Sequence, residues 1–224
     1  MNLLRGWLGE KKTAFHLWLS LTRKTYPRFH NIIIPSKNGT TQIDHLIISV
    51  YGIFIVETKN KKGWIFGAEK QPKWTQTLYR KKYTFPNPLR QVYRQKKVLT
   101  EFLSLDESCI KTLIYFVGDS EFRTQLPENV IDSGLGHFIK KFRTELLSKG
   151  EVQRLTIKLK NFLSQSTLTK KNHLESLRKR HLSDSFCPNC GSRLTMRAAR
   201  RGPKTGQNFL ACKNFPRCRF TKKV

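Results

Sequence analysis

Four of the chain's five cysteines crowd into its last 38 residues, as Cys187-x-x-Cys190 and, after 21 intervening residues, Cys212-x5-Cys218. Two close thiolate pairs on chain reversals are what a tetrahedral zinc site requires. Pro188 and Gly191 suit a tight knuckle around the first pair. No other feature constrains the fold as much. A module this short, with so few aliphatic side chains, cannot be held together by an apolar core. Metal binding, worth on the order of 10 kcal/mol, supplies the folding energy instead. The zinc is then structural, held by Cys187, Cys190, Cys212 and Cys218, and any function lies on the surface around it. Five cysteines are too few for a disulfide scaffold of this length, which points to a reducing compartment. Cys109 lies outside the pattern and reads as a small buried residue.

Charge narrows what that surface does. The 224 residues include 43 Lys or Arg against 15 Asp or Glu, a net charge of +28. An ordinary metabolic enzyme needs no such field, whereas a polyanion-binding protein does. From His181 onward there are ten Lys or Arg and a single acid, Asp184. Arg193, Arg197, Arg200, Arg201, Lys204, Arg217 and Arg219 are candidates to neutralise phosphates. Phe209 and Phe215 are candidates to stack unpaired bases, at about 1–3 kcal/mol per ring. The same rings, with Phe186 and Phe220, could instead cover the small core. Cys187-Pro188-Asn189-Cys190-Gly191 and the run Asn208 to Cys218, with its Phe215-Pro216-Arg217-Cys218 ending, resemble the C-terminal zinc ribbons of type IA DNA topoisomerases. The resemblance implies binding of single-stranded DNA. It does not imply topoisomerase activity, because the chain is far too short and carries no nucleophilic tyrosine motif.

The preceding residues read as a separate domain of the α/β class, more narrowly an α+β arrangement with a mixed sheet. Leu8, Ala14, Leu17, Trp18 and Leu21 recur at helical spacing, predicting an amphipathic helix over 8–23. Strands are expected at 29–34, 41–50, 53–59 and 64–66, then a polar, basic stretch around Trp74. Asn87-Pro88 opens a second helix running to about Ser104. The apolar run within 111–118 is the clearest buried strand. Two more helices are expected over 136–149 and 151–164. The boundaries are therefore 1–163 for the main domain, 164–185 for a charged linker, and 186–224 for the ribbon. Thr13 to Leu21, the most apolar early stretch, is far short of the roughly 18 residues a membrane span needs. With no signal peptide legible, a cytoplasmic protein without a membrane partner is expected.

Acids are scarce, so those in strands stand out. Glu57 and Lys59 share one strand face by alternation. If Tyr51-Gly52 forms a two-residue turn, Asp44 lies opposite Lys59 with Glu57 diagonal to it. Two carboxylates and an amine suit metal-dependent phosphodiester hydrolysis. Asp44 and Glu57 would hold Mg²⁺ or Mn²⁺, and Lys59 would orient water or stabilise developing charge. A Glu-x-Lys pair alone is weak, since Glu10-x-Lys12 also matches and a solvated pair is the ordinary outcome. His45 adjoins Asp44 but points to the other face.

The stretch Gln42 to Ser49, then Gly52 to Asn60, Gly63 to Gly67, and later Asn87-Pro88-Leu89-Arg90-Gln91, resembles the nuclease-related domain (NERD) of the PD-(D/E)XK nuclease superfamily. The resemblance implies a restriction-endonuclease-like core, metal binding by Asp44 and Glu57, and Lys59 as the catalytic lysine. It makes Glu10 a candidate metal-site residue from the first helix, the alternative being a helix-start acid facing the dipole. It makes Gln91 a candidate for positioning substrate. Relatives often carry Tyr four residues after that Gln; here the position is Gln95. Arg90, Arg94, Lys96 and Lys97 either contact phosphates or form a solvated basic face. Together these features describe a metal-dependent DNA nuclease whose ribbon holds single-stranded or frayed DNA. A non-catalytic DNA- or RNA-binding protein of the same fold is the alternative, and RNA stays open as a substrate.

Overall fold

The computed structural model describes residues 3–203 and 205–223. The chain divides into two units. The first runs to Ile32 and resumes over Gln42–Thr167; the second joins Ile33–Thr41 to the chain from Leu168 onward. Strands β1 (Arg28–Ser36) and β2 (Gly39–Ser49) pass through both divisions.

In the first unit, β2 turns back into β3 (Gly52–Lys59), which pairs antiparallel with β2 and parallel with β7 (Ile110–Phe116). The short β9 (Val130–Ile131) adds in parallel, so the mixed sheet has the order β1-β2-β3-β7-β9. Alternation along β3 sorts its side chains between two cores. Phe54 and Val56 pack with Leu17 and Leu21 of α1 (Leu3–Ser20 and the turn after it) and with Leu135 and Ile139 of α3 (Leu135–Lys140). Ile114 and Phe116 of β7 face the other way, against Val92 of α2 (Pro88–Leu103). Asn87 caps α2 by accepting from the Leu89 amide, and Pro88 sits where its missing N–H is harmless.

A second sheet, β6-β5-β4-β8, joins β4 (Gly63–Phe66), β5 (Lys73–Leu78), β6 (Lys81–Pro86) and β8 (Ser120–Phe122). The polar stretch around Trp74 is thus a hairpin, with Trp74 fully buried and stacked near Phe116. Its turn places Tyr79 and Arg80 at positive φ, a job usually given to Gly or Asn. That substitution hid the hairpin from pattern reading.

Several expectations need correcting. The β2–β3 turn is Val50-Tyr51, not Tyr51-Gly52: Ser49 pairs with Gly52 and Ile48 with Ile53. Gly52 opens β3 at φ +117, where a Cβ would lie 2.8 Å from the Cys109 carbonyl oxygen. The two-residue shift preserves facing but slides Asp44 level with Glu57 instead of Lys59. The helix expected over 136–149 stops at Lys140, because the amides of Leu146 and Leu147 turn to the Val50 carbonyl. The next helix, α4 (Lys149–Gln165), starts from a capping box between Ser148 and Glu151. Leu8 and Trp18, counted on the core face of α1, are exposed.

The second unit contains α5 (Lys170–Leu182), within the stretch read as a linker. Thr169 and Asn172 form its capping box. Thr40 donates its amide to Ser176 Oγ at 2.8 Å and bonds His173 Nδ1 through its hydroxyl, while Arg180 donates to the Thr40 carbonyl. This segment is an ordered helix with buried polar contacts. The ribbon's sheet follows, β10 (Leu194–Ala198), β11 (Asn208–Cys212) and β12 (Thr221–Lys223), all antiparallel.

Candidate metal and nucleic-acid sites

Asp44, Glu57 and Lys59 meet on the face of the main sheet that carries α2. Glu57 is 2% exposed and Asp44 8%. Asp44 Oδ2 accepts from the Thr58 amide at 3.0 Å, which ties β2 to β3 beyond their ladder. Lys59 Nζ donates to Glu57 Oε1 at 2.6 Å and to Gln91 Oε1 at 3.0 Å. The other Glu57 oxygen accepts from Gln95 Nε2 at 2.7 Å, and Gln95 also donates to the Gln42 carbonyl at 3.0 Å. Gln95 is singled out by the sequence only as a departure from the usual Tyr and is given no role at the site. It lies one turn after Gln91 on the same face of α2, and that i, i+4 spacing was the available signal.

Glu10 is half-buried on α1. The helix comes close to the end of β3 at Gly9, where a Cβ would stand 2.7 Å from Asn60 Cβ. Thr13 lies one turn later and accepts from the Thr58 hydroxyl at 2.9 Å. The Glu10 charge is felt at the site, raising the pKa of both Asp44 and Lys59. Burial, then the neighbouring Glu57 charge, push the Asp44 carboxyl well above its ordinary value, against the pull of Lys59 and the Thr58 amide. For Lys59, burial acts downward but is outweighed by Glu57 and Asp44, which hold the ammonium above its usual range. Two buried carboxylates thus share one ammonium, with the Glu10 charge felt nearby. Hard oxygen donors gathered with an excess of negative charge fit a small divalent cation.

His45 faces the opposite side of β2, almost fully buried, with its Nδ1 2.7 Å from His30 Nδ1. Burial first, then His30, lowers its pKa to about 3, so the ring is neutral. Three of the four basic residues of α2 are already engaged within the fold. Arg94 is buried, Arg90 donates to the Lys70 carbonyl, and Lys97 pairs with Glu107.

In the ribbon, the Sγ atoms of Cys187, Cys190, Cys212 and Cys218 all lie within 4.8 Å of one another. Two of the separations are 3.7 Å and 3.4 Å, for Cys187–Cys218 and Cys190–Cys212. A tetrahedral ion with Zn–S bonds of about 2.3 Å sets sulfurs roughly 3.8 Å apart, so the cluster fits structural Zn²⁺. Cys190 has its pKa lowered by the Cys187 and Cys218 thiols, while burial, foremost, pushes Cys212 up to about 12. A bound cation draws the proton from each thiol it ligates. Leu194 and Leu210 are the aliphatic members of the small core around them.

The cross-strand register sets Arg197 beside Phe209 and Phe209 beside Lys223, one row across the three strands. Arg193, Arg200, Arg201, Arg217 and Arg219 are exposed, as is Phe215, with the Arg219 guanidinium 5.9 Å from its ring centre. Phe209 is half-buried, and Phe220 packs against the cysteine core. Lys204 lies outside the described residues.

Comparison with known proteins finds two separate matches along the chain. Residues 184–224 match the model of the topoisomerase DNA-binding C4 zinc finger. An uncharacterised protein of Bacillus anthracis is 41% identical over 107 residues, 47% of this chain and 50% of the relative. The chain thus spans about half the length of the curated relative it matches. No solved structure matches the chain. The model of the nuclease-related domain matches residues 5–117, a span that begins in α1, takes in Asp44, Glu57, Lys59, Gln91 and Gln95, and ends just beyond β7, and the chain therefore belongs to the nuclease-related domain family.

Proposed function

We propose that this protein is a metal-dependent nuclease that hydrolyses DNA phosphodiester bonds, with its zinc ribbon binding single-stranded or frayed DNA. The observation that carries the reading is the buried cluster of Asp44, Glu57 and Lys59 on one sheet face, braced by Gln91 and Gln95. A protein with a +28 charge that only bound DNA would gain nothing by burying acids there.

Asp44 and Glu57 would hold Mg²⁺ or Mn²⁺, with Glu10 near enough to act on the same charge. The ion would polarise the scissile phosphate and acidify a bound water. Lys59 would serve as a donor to phosphate oxygen or as an anchor for the attacking water. Gln91, exposed and bonded to Lys59, fixes where that ammonium points. Gln95 holds Glu57 in one orientation through its second oxygen. The row Arg197–Phe209–Lys223 and the exposed Phe215 would grip an unpaired strand by phosphate neutralisation and stacking.

The test is incubation of the purified protein with single- and double-stranded DNA and RNA, with and without Mg²⁺. Cleavage is expected only with the metal and is abolished by EDTA. Glu57→Ala and Lys59→Ala should each lose it, by about 10³-fold or more, while DNA affinity stays unchanged. Undiminished cleavage by both variants overturns the assignment. A second reading rests on a specific observation: both Glu57 oxygens are already occupied, by Lys59 and Gln95. A non-catalytic DNA- or RNA-binding protein would keep that closed arrangement. It requires salt-dependent binding with no metal-dependent products on any nucleic acid.

A further inference from the structure

α1 buries one face and exposes another that is just as apolar. Thr13, Leu17 and the following Leu21 are buried in the first unit. Leu4, Trp7, Leu8, Phe15, Trp18 and Leu19 are each 54–70% exposed. At 3.6 residues per turn they fall within one arc of about 120°. Phe15 and Trp18 stack on each other in the open, ring centres 6.0 Å apart. Soluble surfaces rarely line up so many large apolar groups without a partner for them.

Charge identifies the occupant. Lys11 sits at the centre of the arc, its Nζ 5.6 Å from the Trp7 ring centre, and exposed Arg5 and Lys12 border it. Beyond Trp18 opens a cavity of ≈ 520 Å³ with an apolar wall of Ala14, Trp18 and Leu21 and a polar wall of His30 and the two cations Arg23 and Arg28. No acid is among its lining residues. Arg28 spends one nitrogen on the Leu17 and Leu21 carbonyls and lies close enough to Arg23 for the two charges to repel. The surface therefore combines a hydrocarbon-seeking strip with anion-seeking ends.

A second copy of this chain is a poor match. In a two-fold pairing of this helix, Lys11 at the middle of the strip would meet Lys11 of the other copy, between two chains of charge +28. Nucleic acid accounts for the rings but not for Leu4, Leu8 and Leu19. An anionic lipid surface accounts for all of it. Acyl chains take up the leucines, Trp favours the interface, and phosphates meet Lys11, Arg23 and Arg28. Among the described residues no helix is long and apolar enough to cross a membrane, so contact would be with one leaflet. We infer that the exposed face of α1, with the adjoining basic cavity, docks the protein onto anionic phospholipid surfaces.

The test uses the full zinc-loaded chain and vesicles of phosphatidylcholine, alone or with added phosphatidylglycerol. Sedimentation should carry the protein with the anionic vesicles and leave it behind with the neutral ones. Phe15→Ser/Trp18→Ser keeps the net charge and should bind the anionic vesicles at least about tenfold more weakly, with DNA affinity and unfolding temperature unchanged. Leu4→Ser/Leu8→Ser should do the same, so the result does not hang on one variant's folding. Equal vesicle binding by both variants would mean that bulk charge alone attracts lipid, and the inference fails. It fails equally if the variants lose DNA affinity, which makes the face a nucleic-acid surface, or if they abolish self-association of the wild type, which makes the occupant a second copy.

Discussion

The main sheet and the ribbon each gather ionisable groups around an expected cation, but for opposite reasons. In the main domain the acids are carried by a core that needs no ion. Phe54 and Val56 pack on one side of the sheet, and Ile114 and Phe116 on the other. In the ribbon, three of the five buried core residues are themselves ligands: Cys187, Cys212 and Cys218. A cation is dispensable to the first fold and constitutive of the second. The difference teaches where to look for activity. Ligands that stabilise a fold are structural, while ligands that a stable fold tolerates at a cost are candidates for chemistry.

Breaking the ribbon should give the largest effect. Cys212→Ser, or removal of zinc by a strong chelator, takes away on the order of 10 kcal/mol of folding energy from that module. Hydrogen exchange should show β10–β12 unprotected while β2, β3 and β7 keep full protection. If the ribbon strands stay protected without metal, the contrast between the two regions is wrong.

Next in size is Gln95→Ala. Gln95 is 1% exposed and gives its amide nitrogen to both Glu57 and the Gln42 carbonyl. Its loss leaves a buried carboxylate oxygen short of a donor, at about 2–3 kcal/mol, since bonds to charged groups lie at the upper end of the range. Chemical denaturation reads this directly. A loss below about 0.5 kcal/mol would mean that Glu57 is held by Lys59 alone.

Much of this is legible in the sequence, for identifiable reasons. The cysteine spacing prescribed the ribbon because tetrahedral thiolate geometry tolerates few alternatives. Asp44, Glu57 and Lys59 were readable because side-chain facing depends on parity alone, and the true turn at Val50-Tyr51 shifts the register by two. The same shift moved Asp44 from Lys59 to Glu57, since register needs the turn itself and nothing in Val-Tyr-Gly chooses between neighbouring pairs. Gln95 was hidden because a glutamine on a helix is ordinarily solvated, and only the packing of α2 onto β3 makes it a donor to Glu57. The β5–β6 hairpin was hidden by a turn of Tyr79 and Arg80, which carry no turn signal. On α1, helical spacing was plain, but it could not say which of two apolar faces the core would take.

The smallest effect runs against intuition and sharpens the comparison most. The Asp44 carboxyl is raised above its ordinary value of 3.8 by burial and by Glu57. Between the unfolded and folded pKa values, the folded chain therefore holds a proton that the unfolded chain has released. Stability must fall as pH climbs through that window, because there the folded state binds more protons. Above the window the full penalty of a buried, crowded carboxylate remains. Asp44→Asn removes the charge at nearly constant shape, so in EDTA it should unfold at a higher temperature than the wild type at neutral pH. A domain of this size gains about 3 °C per kcal/mol, so a rise of a few degrees is expected, and it should shrink as pH falls toward 3.8. Mn²⁺ should then stabilise the wild type and leave the variant unmoved. A thiolate ligand of the ribbon should respond in the opposite direction, since any replacement there destabilises. If Asp44→Asn instead lowers the unfolding temperature in EDTA, the Asp44 bond to the Thr58 amide outweighs its crowding, and the acid is a structural strap between β2 and β3.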